Sequence, residues 1–268
     1  PIQQTLSNSG ELKLPLVLYF RGGGFILCSV ANTFFHNFCT SLATNLPALI
    51  LSVEYRLAPE SRLPAAYDDV IEAINWVRNQ GLDMHGGEEW LRKYGDFSKF
   101  FLMGCSSGGN MAYHAGMHAL GLDIKPLKIQ GLILNQPFFG GTKRTESELR
   151  LVNDQKIPLA VSDLMWELAL PKGVDRDHKY SNPMVHDDDD DQEKIELMKG
   201  CSWFVSMRGG DPLMDRQMEF VRMLEKKDVK VVKWFDDEGY HGMELFEPQK
   251  AEELLVALKN FIRSEALE

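Results

Sequence analysis

Short runs of uninterrupted apolar residues alternate along this chain with stretches whose apolar positions recur every three or four residues. Leu14–Phe20 (LPLVLYF), Ala48–Tyr55 (ALILSVEY), Lys99–Met103 (KFFLM), Ile129–Asn135 (IQGLILN), Trp203–Met207 (WFVSM) and Val229–Phe235 (VKVVKWF) read as strands. Several are apolar throughout, the mark of strands covered on both faces of a parallel sheet. Between them lie helical patterns. Val70, Ile71, Ile74 and Val77 share one face over roughly Ala65–Gln80, and Met214, Met218, Val221 and Leu224 do the same after the fifth strand. Ala251, Leu254, Leu255, Leu258, Phe261 and Ile262 make the clearest stripe, at offsets 0, 3, 4, 7, 10 and 11. Strand, helix, strand in this order implies right-handed crossovers and an α/β fold, its mostly parallel sheet flanked by helices on both faces.

One interval breaks the alternation. Gly140 to Cys201 separates the fourth and fifth strands by about sixty residues, far more than one crossover needs. It carries an apolar helix candidate, Val161–Leu170, and a run of five aspartates, Asp187–Asp191. The interval, roughly 140–200, reads as an insertion capping the C-terminal edge of the sheet, where open α/β sheets bind ligands. The aspartate run reads as a solvated loop before it reads as a cation site. Composition changes this picture little: with 268 residues, 44% hydrophobic and 25% charged, one α/β domain accounts for the whole chain. A net charge of −10 argues against nucleic acid as a partner, and no run approaches the ~18 apolar residues of a membrane helix. Cys28, Cys39, Cys105 and Cys201 are widely spaced with no CxxC pair, which fits a reducing compartment; the expected location is cytoplasmic.

Gly104-Cys105-Ser106-Ser107-Gly108 stands where the third strand ends and a helix begins, the context a G-x-S-x-G nucleophile elbow requires. The turn is so tight that the positions two before and two after the serine must lack side chains. A serine hydroxyl becomes a nucleophile only beside a base, and the base needs a carboxylate to orient it. In such sheets the order is serine, acid, histidine. Asp211 follows the fifth strand in Gly209-Gly210-Asp211-Pro212-Leu213, and His241 follows the sixth in Glu238-Gly239-Tyr240-His241-Gly242. Ser106, Asp211 and His241 are therefore the expected catalytic residues, with Asp215 as the rival acid. His114 and His118 are i, i+4 on one helix but lack an HExxH pattern and read as packing or surface residues, so no metal is expected. Arg21-Gly22-Gly23-Gly24-Phe25 follows the first strand and is placed like the HGGG loop of lipases and esterases. The N–H groups of Gly22, Gly23 and Ser107 are the expected oxyanion donors. Phe25, Phe138, Phe139, Leu213, Met214 and Tyr240 lie in loops that can line an apolar pocket, although Phe138 and Phe139 suit the core equally.

These segments together resemble plant carboxylesterases of the hormone-sensitive-lipase-like α/β-hydrolase family. The resemblance rests on Gly22–Phe25, Tyr55-Arg56-Leu57-Ala58-Pro59-Glu60, Leu63-Pro64-Ala65-Ala66-Tyr67-Asp68-Asp69, the Ser106 elbow running into Gly109-Asn110, Asp211-Pro212-Leu213 and the His241 loop, all in order. It implies an α/β-hydrolase fold and a serine hydrolase acting on carboxylic esters of small, fairly apolar molecules, with no cofactor. The same family includes 2-hydroxyisoflavanone dehydratases and gibberellin receptors. A non-hydrolytic hormone receptor, or a lyase or cyclase reusing the site, is therefore the alternative; the presence of His241 counts against the receptor.

Two departures from the family pattern stand out. Arg21 replaces the histidine of HGGG and puts a permanent cation beside the oxyanion loop, either salt-bridged or altering substrate preference. Cys105 stands where an acidic residue or threonine is usual; the elbow should turn its thiol away into a buried, inert setting. The resemblance also implies fifty or more residues ahead of LPLVLYF, whereas only Pro1–Lys13 precede it here and read as a loop. The chain is thus expected to be truncated relative to its natural product, or its leading segment to have been cleaved, with KM for longer acyl chains raised more than kcat is lowered as the consequence.

Overall fold

The structure, a computed structural model, describes residues 13–83, 86–185 and 192–266. The expectations for the leading loop and for the Asp187–Asp191 run fall outside them. Six strands form one parallel sheet: β1 (Leu14–Phe20), β2 (Leu49–Val53), β3 (Gly95–Cys105), β4 (Ile129–Asn135), β5 (Ser202–Arg208) and β6 (Val231–Asp236), in spatial order β2-β1-β3-β4-β5-β6. All five pairings are parallel. The helices are α1 (Thr33–Asn45), α2 (Ala65–Leu82), α3 (Glu89–Tyr94), α4 (Ser107–Leu120), α5 (Glu146–Arg150), α6 (Leu159–Ala169), α7 (Gln192–Lys199), α8 (Met214–Lys226) and α9 (Pro248–Glu265).

Successive side chains of a strand point to opposite faces, and here each face has its own core. Leu16, Leu18 and Phe20 of β1 join Phe100 and Leu102 of β3 under α2, α4 and α8, where Val70, Ile74, Met111, Phe220 and Leu224 are buried. Val17 and Tyr19 join Phe101 and Met103 on the other side, beneath Phe35, Phe38 and Leu42 of α1 and Leu254, Leu258 and Phe261 of α9. Double burial is why β1, β3, β4 and β5 read as continuous apolar runs. β2 and β6 are the two edges, and Val232 and Phe235 of β6 are exposed.

The segment between β4 and β5 folds back over the sheet. Its α6 places Trp166, fully buried, flat against Phe138, with centroids 4.5 Å apart and planes 7° from parallel. The Leu63 N–H donates to the Ala169 carbonyl at 2.9 Å, and Arg62 donates to the carbonyls of Glu167 and Leu170, pinning the end of α6 to the loop ahead of α2. Among the described residues no helix is long and apolar enough to cross a membrane.

Candidate active site

Ser106 lies between β3 and α4 with φ 53° and ψ −120°, a conformation that L-residues rarely adopt. Strain of this kind costs about 1–3 kcal/mol and persists only where the surroundings enforce it. They do so here. The Ser106 N–H donates to the Asn135 carbonyl at 2.9 Å, and its own carbonyl accepts from Phe138 N–H at 2.9 Å and Asn110 N–H at 3.2 Å. The flanking glycines are a steric requirement. A Cβ on Gly104 would stand 2.0 Å from the Gly108 carbonyl oxygen, and one on Gly108 would stand 2.0 Å from that of Phe20.

Asp211 and His241 meet Ser106 because two loops beyond β5 and β6 touch backbone to backbone. Gly210 approaches the Gly239 carbonyl so closely that a Cβ would lie 1.9 Å from it. His241 Nε2 is 2.9 Å from Ser106 Oγ, and Nδ1 is 2.9 Å from Asp211 Oδ2. Asp211 is fully buried; Oδ1 accepts the Leu213 N–H at 2.9 Å, and Oδ2 also accepts from the amides of Gln136 at 2.9 Å and Gln217 at 3.0 Å. Burial raises its pKa, but the imidazole and these donors outweigh burial and hold the carboxyl below its ordinary range. Burial likewise disfavours the imidazolium of His241, yet Asp211, with Glu244 and Asp154 further off, leaves its pKa raised. Asp215, the rival acid, instead accepts the Ser147 N–H at 2.7 Å.

The Arg21 guanidinium is wholly buried behind the glycine loop. It donates to the carbonyls of Gly22 (3.1 Å) and Leu27 (2.8 Å), pairs with Glu54, and lies 4.3 Å from the centre of the Tyr55 ring. Of the two readings of Arg21, the salt-bridged structural one matches this geometry. Cys105 is buried and hydrogen-bonded with the Tyr19 hydroxyl at 3.2 Å; burial pushes its thiol up to about 12, so it stays protonated near neutrality. The Gly22 N–H faces that thiol. This corrects the expected oxyanion trio, because a donor turned to sulfur is not free for the oxyanion.

A cavity of about 220 Å³ opens over Ser106 and His241. Gly22, Gly23 and Gly24 form one wall, Met165 and Ile157 of the segment between β4 and β5 and Phe34 of α1 form others, and Leu245 and Phe246 close the rim. The six residues expected to line a pocket do not line this one. Phe25, Phe138, Phe139 and Leu213 are buried in the core, Phe25 against Trp166 and Phe138, and Phe139 against Phe220. Met214 opens α8, and Tyr240 turns its hydroxyl to Glu247 at 3.0 Å. His114 packs between Tyr67 and Tyr113 beside a separate cavity that His118 also lines.

Besides the apolar wall residues Phe34, Ile157, Met165, Leu245 and Phe246, the sequence reading missed four polar or charged residues that line the cavity: Asn135, Gln136, Glu244 and Lys156. Gln136, at φ 45°, bridges two loops by donating to Asp211 and accepting the Gly242 N–H at 3.0 Å. The available signal was the polar pair Asn135-Gln136 directly after the apolar residues Leu132, Ile133 and Leu134, at the ligand-binding edge of the sheet.

The profile of the alpha/beta hydrolase fold family matches residues 17–245. The chain is 55% identical over 264 residues to 3-O-acetylpapaveroxine carboxylesterase of Papaver somniferum, covering 98% of this chain and 83% of that protein. It is 48% identical over 261 residues to carboxylesterase 20 of Arabidopsis thaliana, covering 96% and 77% respectively. Among solved structures, the Pyrobaculum calidifontis esterase superposes with a TM-score of 0.77 at 25% identity, over 96% of this chain and 79% of that one.

Proposed function

Because this chain belongs to the α/β-hydrolase fold family and is a carboxylesterase, we propose that Ser106, His241 and Asp211 are its catalytic triad. The observation that carries the reading is the unbroken relay Ser106 Oγ–His241–Asp211, both links 2.9 Å. Neutral His241 takes the Ser106 proton through Nε2 as Oγ attacks the ester carbonyl, and Asp211 holds Nδ1–H and offsets the imidazolium charge. The oxyanion rests on N–H groups of Gly23 and Ser107, with Gly24 in the place first expected of Gly22. The alcohol leaves with the proton from His241, and a water activated by the same imidazole hydrolyses the acyl-serine.

The substrate class is a small ester with a fairly apolar acyl or alcohol part, in keeping with the Met165, Ile157 and Phe34 walls. The segment 140–200 acts as the cap over the site within a single domain. A cytoplasmic setting without nucleic-acid or membrane partners is consistent with the net charge of −10 and with four unpaired cysteines. The test is Ser106→Ala. Its kcat on p-nitrophenyl acetate should fall by several orders of magnitude, towards the ~10⁶ typical of triad serines, and fluorophosphonate labelling should vanish. Undiminished turnover by the variant would overturn the assignment.

A further inference from the structure

Among the described residues, Lys156 is the one lysine or arginine lining the cavity over Ser106 and His241. It sits just ahead of α6, exposed to solvent and lining the cavity beside Phe246. Two rings fix its direction: the nitrogen lies 4.4 Å from the Phe246 ring centre and 5.0 Å from that of Tyr240, the neighbour of His241. Such contacts contribute about 0.5–1 kcal/mol at exposed sites, enough to favour one orientation of a flexible side chain.

No carboxylate among the described residues forms an ion pair with this ammonium. Asp154 is the nearest acid in sequence, and its Oδ1 accepts the backbone N–H groups of Lys156 and Ile157, both at 2.8 Å. Glu247 accepts the Tyr240 hydroxyl. Glu244, the one acid among the described residues that lines the cavity, is buried and bound to Asn135. The rim therefore holds a positioned cation without an anionic partner, above walls that are mostly apolar. The whole chain carries −10, which repels anions at long range. Screening confines that repulsion to roughly the 8 Å Debye length, whereas a contact at the rim is shorter than this.

We infer that Lys156 is a specificity-determining residue, and that the enzyme favours esters bearing a carboxylate a few bonds from the scissile carbonyl over their neutral isosteres. The inference rests on the reading that Ser106 and His241 are the reacting pair.

The test measures kcat/KM for two matched pairs of esters. One pair places the charge on the acyl side, mono-4-nitrophenyl glutarate against 4-nitrophenyl valerate. The other places it on the alcohol side, 4-acetoxybenzoate against phenyl acetate. The anionic-to-neutral ratio should fall about three- to fivefold in Lys156→Met in at least one pair, the range of a partly exposed ion pair. It should fall further in Lys156→Glu, and the wild-type ratio should shrink with added salt. Lys128→Met changes net charge equally at the opposite end of the sheet and should leave the ratio where it was. A ratio that is the same in wild type and Lys156→Met for both pairs overturns the inference. Failure of the triad reading would appear separately, as Ser106→Ala retaining turnover of the neutral esters.

Discussion

The His241 imidazole is held between opposing influences, and its chemistry depends on which prevails. Burial alone would push its pKa down, but Asp211, then Glu244 and Asp154, leave it above the ordinary 6.5. The base must be neutral to accept the Ser106 proton, so the acid limb of kcat/KM should lie above pH 6.5. Asp211, held below its ordinary 3.8, stays ionised throughout that limb and does not shape it. The same shifts set a stability window. The contribution of His241 is complete below pH 6.5 and is lost as pH rises through its raised value, and that of Asp211 is lost as pH falls through its depressed one. Glu244 permits a sharper test. Its Oε1 accepts from Asn135 Nδ2, and the Asn135 carbonyl in turn accepts the Ser106 N–H. Glu244→Gln keeps an acceptor for Asn135 while removing the negative charge, so the acid limb should move to lower pH. A limb that stays fixed or moves up would contradict this account of His241.

At the scale of elements, the elbow joins β3 to α4 and also abuts the loop after β1. A methyl group on Gly108 would meet the carbonyl oxygens of Phe20 and Arg21 at 2.0 and 2.7 Å, and backbone cannot swing aside as a side-chain tip can. Gly108→Ala should destabilise by at least ~3 kcal/mol, a Tm drop of roughly 6–12 °C for a chain of this size, with esterase activity lost. Gly121→Ala is the control, since no atom lies nearer than 3.5 Å to its Cβ position; equal melting temperatures for the two variants would refute the steric argument. Elements with a long apolar signature were legible in the sequence. β1 and β4 span the predicted residues, and α2, α8 and α9 lie where their stripes fall. α1 was not read, because Thr, Asn, Phe and Cys are indifferent helix formers and its helicity is sustained by packing Phe35, Phe38 and Leu42 on the sheet. α3 and α5 are too short for a period to emerge, although Thr145 and Glu148 spell the capping box that starts α5. The serine–acid–histidine order was legible because each residue follows a strand end. The cavity wall was not. A loop has no period from which to read side-chain direction, so Phe25 gave no sign that it points into the core, and Phe138 and Phe139 suited pocket and core equally although both lie in the core.

Across the whole molecule, the parallel sheet gathers the C-terminal ends of β1, β3, β4, β5 and β6 along one edge, and every group of the proposed site comes from a loop at that edge or from the segment above it. Two cores pack the sheet on both faces, and hydrogen bonds such as Gln136 to Asp211 and to Gly242 tie the edge loops together, so little binding energy is spent on ordering the site. Selectivity for size then depends on the space left between the edge and the segment that joins β4 to β5. That space is about 220 Å³, with the Met165, Ile157 and Phe34 side chains on its walls and the half-exposed Leu27 and Phe246 at its mouth. Each acyl CH₂ that leaves water for these walls contributes ~0.8 kcal/mol, roughly fourfold in kcat/KM. Methylenes that extend past the mouth contribute little, since they remain wet. In a series of p-nitrophenyl esters, kcat/KM should therefore climb from acetate through the short acyl chains and then level off. The gain should appear mainly in KM, because these contacts are made before the chemical step as well as during it. Trimming one wall by Met165→Ala should remove part of the gain for each CH₂ that touches it. A kcat/KM that declines steadily from acetate onward would mean that the acyl group does not occupy this cavity.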